Sequence, residues 1–133
     1  MTLIAGPRSN APDQVQLPEG GVYGITIYQG ADFWMKLYVR EPDGITPIDL
    51  SNYTAQAQVR TKEKIASDLL ADFDATIDGL EGSVTIHLAG TVTETFVKLE
   101  AFWDLFLVGI DDQRTMLIQG PVLIDPAVTD VFP

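Results

Sequence analysis

Hydrophobic and polar residues alternate along most of the chain. In residues 53–60, Tyr, Ala, Ala and Val alternate with Thr, Gln, Gln and Arg. Strict alternation of this kind is typical of a β-strand with one buried face and one solvated face. On this pattern we predict seven strands, at residues 22–29, 32–40, 53–60, 69–77, 83–88, 102–110 and 115–124.

Two segments depart from the simple alternation. Residues 102–110 are apolar at nearly every position, which predicts a central strand covered on both faces. In residues 91–99, Val92, Phe96 and Leu99 recur at helical spacing. That spacing predicts one or two helical turns crossing the end of the fold.

Turn signals such as Asp43-Gly44 separate the predicted strands. Short strands joined in this way are typical of an all-β, immunoglobulin-like antiparallel β-sandwich. We therefore expect about seven strands, one short helical crossing turn, and flexible N- and C-terminal arms. The length of 133 residues suits one such domain with a single core.

The predicted organisation has three parts: an extended N-terminal arm at 1–21, a β-sandwich domain at 22–124 and a C-terminal tail at 125–133. The arm is rich in Pro and Gly and has no apolar period. It is either a disordered terminus or an arm that becomes ordered on a neighbouring subunit. In the second case its anchors would be its apolar residues, Leu3, Ile4, Val15 and Leu17.

Charge restricts the partners. The chain has 8 Lys and Arg against 19 Asp and Glu, a net charge of −11. Such a surface repels nucleic-acid phosphates and anionic bilayers, so we predict neither nucleic acid nor membrane as a partner. The apolar stretches are too short for a signal peptide or a membrane span, and we expect synthesis in the cytoplasm.

The sequence does not predict an enzyme. Without cysteine, thiolate zinc sites and cysteine nucleophiles are excluded. The only histidine, His87, has no nucleophile and orienting group that we could place beside it, so we interpret it as a surface residue. Carboxylate pairs such as Asp72 with Asp74, or Asp111 with Asp112, are expected by chance among so many acids. We predict no catalytic, cofactor or metal site, although a loose Ca²⁺ site at Asp111 and Asp112 stays open.

Two further features have more specific interpretations. Trp34 and Tyr38 share the outward face of one predicted strand. They could fill a subunit interface, be covered by the N-terminal arm, or stack on sugar rings. Asp104 lies in the most apolar strand and needs a partner if it is buried. We predict a structural ion pair with Arg60, with Arg114 as the alternative partner.

The order of several short segments resembles that of a known family. The sequence Gly30-Ala31-Asp32-Phe33 is followed by a corner and strand at 47–60. The other matching segments are residues 43–44, 82–88, 91–99, 103–105, 117–122 and 128–130. In this order they resemble small immunoglobulin-like domains of tailed-bacteriophage structural proteins. The chain is similar to the N-terminal domain of the baseplate upper protein family and to related tail and neck proteins.

The resemblance implies a non-enzymatic virion protein, an adaptor or assembly subunit of the tail, baseplate or neck. Its expected partners are other virion proteins, namely tail, neck or capsid subunits, and further copies of itself in a homo-oligomer. Two alternatives stay open: a capsid decoration protein, and a module that binds carbohydrate on the host surface. The expected location is the virion, after synthesis in the host cytoplasm.

Overall fold

The computed structural model describes residues 1–6, 15–62, 67–97 and 100–127. In these residues the chain forms eleven β-strands and one four-residue helix. The elements are β1 (Thr2–Gly6), β2 (Val15–Pro18), β3 (Gly21–Val22), β4 (Ile25–Tyr28), β5 (Phe33–Arg40), β6 (Thr54–Arg60), β7 (Leu69–Asp72), β8 (Asp74–Asp78), β9 (Ser83–Leu88), α1 (Gly90–Thr93), β10 (Glu100–Val108) and β11 (Arg114–Asp125).

The strands form two sheets that pack face to face as a sandwich, which confirms the predicted all-β, immunoglobulin-like class. The five-stranded sheet has the order β2-β1-β5-β9-β8. The six-stranded sheet has the order β3-β11-β10-β6-β7, and β4 also pairs with β11. All pairs are antiparallel except those of β3 and β4 with β11, which are parallel.

Alternation produces the core, because successive side chains of a strand point to opposite faces of its sheet. In β10, Ala101, Trp103, Leu105 and Leu107 are buried between the sheets. The facing layer comes mainly from β5 and β9 of the other sheet, which supply Met35, Leu37, Val39, Val84, Ile86 and Leu88.

The predicted strand at 69–77 is two strands in different sheets. β7 pairs with β6 in the six-stranded sheet, whereas β8 pairs with β9 in the five-stranded sheet. The chain changes sheet at Phe73, whose ring is buried between them, 5.9 Å from the ring of Phe33 and 6.2 Å from that of Trp103. Alternation continues unbroken through Phe73, so the sequence pattern gave no sign of the change.

The N-terminal residues are not a separate arm. β1 pairs with β5 from Thr2 to Gly6, and β2 pairs with β1 on its other side. Leu3 is 0% exposed and belongs to the core. The predicted boundary at residue 22 is therefore wrong for these strands, because β5 has a free edge that β1 completes and a core position that Leu3 fills. Residues 7–14 of the predicted arm lie outside the described residues.

The predicted short helical turn is present as α1 and is tied to the residues just before β5. Thr93 is fully buried, and its hydroxyl accepts a hydrogen bond from the Gly30 backbone N–H at 3.0 Å and donates one to the Ala31 carbonyl at 2.9 Å. Phe96, one of the residues at helical spacing, lies in the core. The third of these residues, Leu99, lies outside the described residues, as do residues 128–133 of the predicted tail.

Candidate functional site

The outer face of the six-stranded sheet carries a groove of about 960 Å³. Its floor is the outward side of β10, where Phe102, Asp104 and Phe106 are half-buried. The sequence predicted that this central strand would be covered on both faces. β10 is central, between β11 and β6, but its outer face is open to the groove.

Register places matching side chains on both sides of this floor. Gln58 of β6 and Gln119 of β11 lie opposite Asp104. In the same way, Arg60 and Pro121 flank Phe102, and Gln56 and Met116 flank Phe106. We call this surface the outer groove; its central residues are Gln58, Arg60, Phe102, Asp104, Phe106 and Gln119.

The β6 side of the outer groove is held by side-chain hydrogen bonds. The Gln58 amide donates to the Asp72 carboxylate at 2.7 Å, and its oxygen accepts from the Arg60 guanidinium at 2.9 and 3.2 Å. Arg60 also donates to the carbonyl of Ser67 at 2.8 Å. Both polar ends of Gln58 are therefore occupied, and this wall is fixed before any ligand binds.

The other end of the outer groove is organised by Arg114. Its guanidinium donates to the Gln56 side-chain oxygen at 3.1 Å. The guanidinium carbon also lies 5.1 Å from the centre of the Phe106 ring, a cation–π arrangement. This arginine therefore covers part of the Phe106 ring.

Asp104 does not form the predicted direct ion pair with Arg60. The register puts Gln58 opposite Asp104, whereas Arg60 lies opposite Phe102 and uses its donors on Gln58 and Ser67. Desolvation raises the pKa of Asp104 above its ordinary value, and the more distant charges of Arg60 and Arg114 only partly oppose this shift. The carboxylate is thus held in a partly dehydrated position with no ion-pair partner among the described residues.

Trp34 and Tyr38, the predicted interface or sugar-stacking pair, do not form one surface. Tyr38 is 9% exposed, with the Lys36 ammonium 5.0 Å and the Arg40 guanidinium 4.9 Å from its ring centre. Trp34 is 42% exposed, but its ring stacks on His87 with centroids 3.9 Å apart. Tyr38 is therefore covered by the N-terminal segment, which was one of the three interpretations, because Ile4 of β1 pairs beside it.

His87 lies on the outer face of the five-stranded sheet, as predicted, but in a more ordered setting than a solitary surface residue. Its Nε2 is 3.3 Å from a carboxylate oxygen of Asp32, and its Nδ1 is 3.6 Å from one of Asp74. The Asp32 carboxylate also accepts a hydrogen bond from the Gly90 backbone N–H at 2.6 Å, and these donors lower its pKa. The cluster joins β5, β8, β9 and α1, which is a structural role.

One end of the sandwich exposes apolar side chains on three loops. We call it the loop end; it consists of residues 41–53, 79–82 and 109–113. The exposed fractions of Ile45, Leu80 and Ile110 are 79%, 82% and 76%. The Leu50 N–H donates to the Gly79 carbonyl at 2.9 Å, which holds the first two loops together. The third loop follows β10, whose last residue, Val108, pairs with Thr54, the first residue of β6 directly after the first loop.

The remaining predicted anchors have separate places. Leu3 is in the core, Ile4 is partly buried on the outer face, and Leu17 packs against the core from β2. Val15 pairs with Ala5 through its backbone, and its side chain lies outside the described part of the structure.

The sequence analysis did not predict the outer groove. Phe102 and Phe106, at outward positions of β10, were the sequence feature that could have indicated it.

No protein-family model matches the chain, and no curated protein matches it. Within the described ranges, no helix has the length and apolar character needed to cross a membrane. In the same residues, no three His, Cys, Asp or Glu side chains lie close enough together to hold a metal ion.

Proposed function

We propose that this chain is a non-enzymatic structural subunit of a tailed-phage particle, positioned in the tail, baseplate or neck. The family resemblance motivates the proposal. Most of the described matching segments lie at or next to elements of the sandwich: the start of β5, the corner before β6 and β6 itself, β9, α1, β10 and β11. Residues 43–44 lie in the loop after β5, and residues 128–130 are outside the described part of the chain. A sandwich of this kind is a rigid body that can hold neighbouring subunits at fixed angles.

The observation that carries the proposal is the loop end. Three separate loops there each present a large apolar side chain with more than three quarters of its surface exposed. Exposed apolar side chains on loops at one end of a domain can supply the apolar centre of a protein interface. Acidic residues accompany them, among them Asp43, Glu81 and Asp111. This combination keeps an unassembled subunit dispersed and leaves an apolar contact for a neighbour.

Subunits that associate through the loop end would bury Ile45, Leu80 and Ile110 against the next molecule. Full burial of a side chain of this size contributes about 1.5–3 kcal/mol. Burial of all three side chains would therefore contribute several kilocalories per mole to each subunit contact. A symmetric ring would repeat this contact between every pair of neighbours. The contact leaves both sheet faces free.

The test replaces Ile110 or Leu80 by Asp in phage that carry no other copy of the gene, and measures incorporation into particles by quantitative mass spectrometry. Val97→Asp is the matched control, because Val97 is 90% exposed but follows α1, outside the loop end. We expect all variants to fold, with the loop-end variants lost from particles and the control retained. Equal incorporation of all three would refute the loop-end contact.

Particle imaging tests the position. We expect density for the subunit in the tail, baseplate or neck of reconstructed particles. Density on the capsid shell instead would establish the decoration alternative, and absence of the polypeptide from purified particles would overturn the structural proposal.

A further inference from the structure

The outer groove has polar groups at its centre for which the described residues supply no hydrogen-bond partner. Among the described residues, no hydrogen bond reaches the side chain of Asp104 or the side-chain amide of Gln119. These two residues lie opposite each other on β10 and β11. A half-buried carboxylate without donors is costly, so an occupant that supplies donors would be favoured. Gln119 can both donate to and accept from the same occupant.

Aromatic surface lies along the same line. Phe102 and Phe106 flank Asp104 at a spacing of two residues on either side, so they are about 13 Å apart along the strand. Phe102 is flanked by Pro121, which adds a flat apolar surface. The groove of about 960 Å³ is at the large end of the range of small-molecule sites.

The charges around the groove limit the ligand. Arg60, Lys62 and Arg114 line it together with Asp72 and Asp104, so the groove has a formal charge of +1 on a chain of −11. A cationic ligand that approached Asp104 would meet the three basic side chains. An anionic ligand centred in the groove would meet Asp104 itself, and a purely apolar ligand would remove the remaining water from this carboxylate. Each of these classes leaves a charge unfavourably placed.

A neutral ligand with hydroxyl groups and an apolar face avoids all three costs. We propose that the outer groove binds a neutral saccharide, with a sugar ring on Phe102 and its hydroxyls on Asp104 and Gln119. Sugar hydroxyls donate to the carboxylate and both accept from and donate to the amide. The C–H face of the ring packs on the aromatic side chain. The distance between Phe102 and Phe106 allows more than one sugar unit along β10.

This site differs in place from the sugar-stacking surface that the sequence suggested. That surface used Trp34 and Tyr38 on the five-stranded sheet, where Tyr38 is covered. The outer groove is on the six-stranded sheet and is separate from the loop end. Saccharide binding there goes beyond the proposed assembly role, and either property can fail without the other.

The experiment is a titration of the full chain with short neutral oligomers of glucose, mannose, galactose and N-acetylglucosamine. Binding is measured by isothermal titration calorimetry and by NMR of the glutamine side-chain amides. Oligomers of a uronic acid form a second arm. We expect at least one neutral series to bind and to shift the Gln119 amide signal. Binding of uronic-acid oligomers alone, or of no saccharide, would overturn the proposal.

Variants locate the site. Phe102→Ala should abolish measurable binding, and Asp104→Asn should weaken it roughly tenfold or more, the scale expected when a charged hydrogen-bond acceptor is lost. Trp34→Ala is the matched control, because it removes an exposed aromatic side chain from the other sheet. Thermal melting of each variant checks its fold, and Gln119→Ala provides a second test if Phe102→Ala does not fold. Unchanged affinity in Asp104→Asn and Gln119→Ala, or loss of binding in Trp34→Ala, would contradict the assignment.

Discussion

The place of the N-terminal strand can be tested by truncating one side chain. Leu3 is 0% exposed and pairs in register with Val39 of β5 and Leu17 of β2. Leu3→Ala removes buried methyl groups and leaves a cavity between the sheets, at a cost of about 2–4 kcal/mol. For 133 residues the entropy of unfolding is about 0.28 kcal/mol/K, so the melting temperature should fall by roughly 7 to 14 °C.

The control is the next residue, because a strand turns alternate side chains to opposite faces. Ile4→Ala removes a partly exposed side chain beside Tyr38 on the outer face. It should cost about 1 kcal/mol or less, or roughly 4 °C. Differential scanning calorimetry of both variants, each at several protein concentrations, supplies the comparison.

Concentration dependence separates the two interpretations of this segment. If β1 belongs to its own sandwich, the loss of stability in Leu3→Ala is the same at every protein concentration. If Leu3 instead anchors on a neighbouring subunit, the difference from the unmodified chain appears only at concentrations where subunits associate. If Leu3→Ala has the same melting temperature as the unmodified chain at low protein concentration, the placement of Leu3 in the core is refuted.

Three further predictions concern single residues. A Cβ on Gly120 would lie 2.6 Å from the Tyr23 carbonyl carbon, so Gly120→Ala should lower the free energy of unfolding by about 1–3 kcal/mol in denaturant titration, whereas Gly24→Ala, with 3.5 Å to its nearest neighbour, should be nearly neutral. The raised pKa of Asp104 favours its protonated form in the fold, so its stabilising contribution is complete below the ordinary pKa of 3.8 and is lost as the pH rises through the folded pKa. Asp104→Asn should therefore raise the melting temperature at pH 7 but not at pH 3. An equal effect at both pH values would contradict desolvation of the charged carboxylate as the cause. The pKa of Asp32 is lowered by its hydrogen bonds from Gly90 and His87, so its contribution is present above pH 3.8 and is lost as the pH falls through the folded pKa. Asp32→Asn should reduce the acid-induced loss of stability, measured by melting temperature between pH 5 and pH 2.

The strands could be predicted because their evidence is local. A strand with one face in the core needs an apolar residue at every second position, and β5, β6 and β9 satisfy this rule without interruption. Phe73 satisfies it as well, and for that reason the change of sheet there was not visible. One buried phenylalanine fits either the end of a strand in one sheet or the start of a strand in the other.

The outer groove could be predicted only in part. The outward positions of Phe102 and Phe106 follow from the same alternation that buries Trp103. The partners of Asp104 do not, because they depend on the register between β10 and its neighbours. That register places Gln58 and Gln119 directly opposite Asp104. Arg60 lies opposite Phe102, two residues from Asp104 along β10. A shift of two residues would have preserved every buried face and produced the predicted ion pair.

The sequence by itself determined the all-β class, most of the strand positions, the inward face of each strand and the strongly acidic charge. These properties depend on neighbouring residues and on composition, so they can be deduced from the amino-acid sequence alone. Only the tertiary structure decided which strands pair, that residues 2–6 complete the five-stranded sheet, and that three distant loops gather at one end. Those outcomes depend on contacts between residues far apart in the chain, where many pairings are compatible with the same local pattern and packing selects among them.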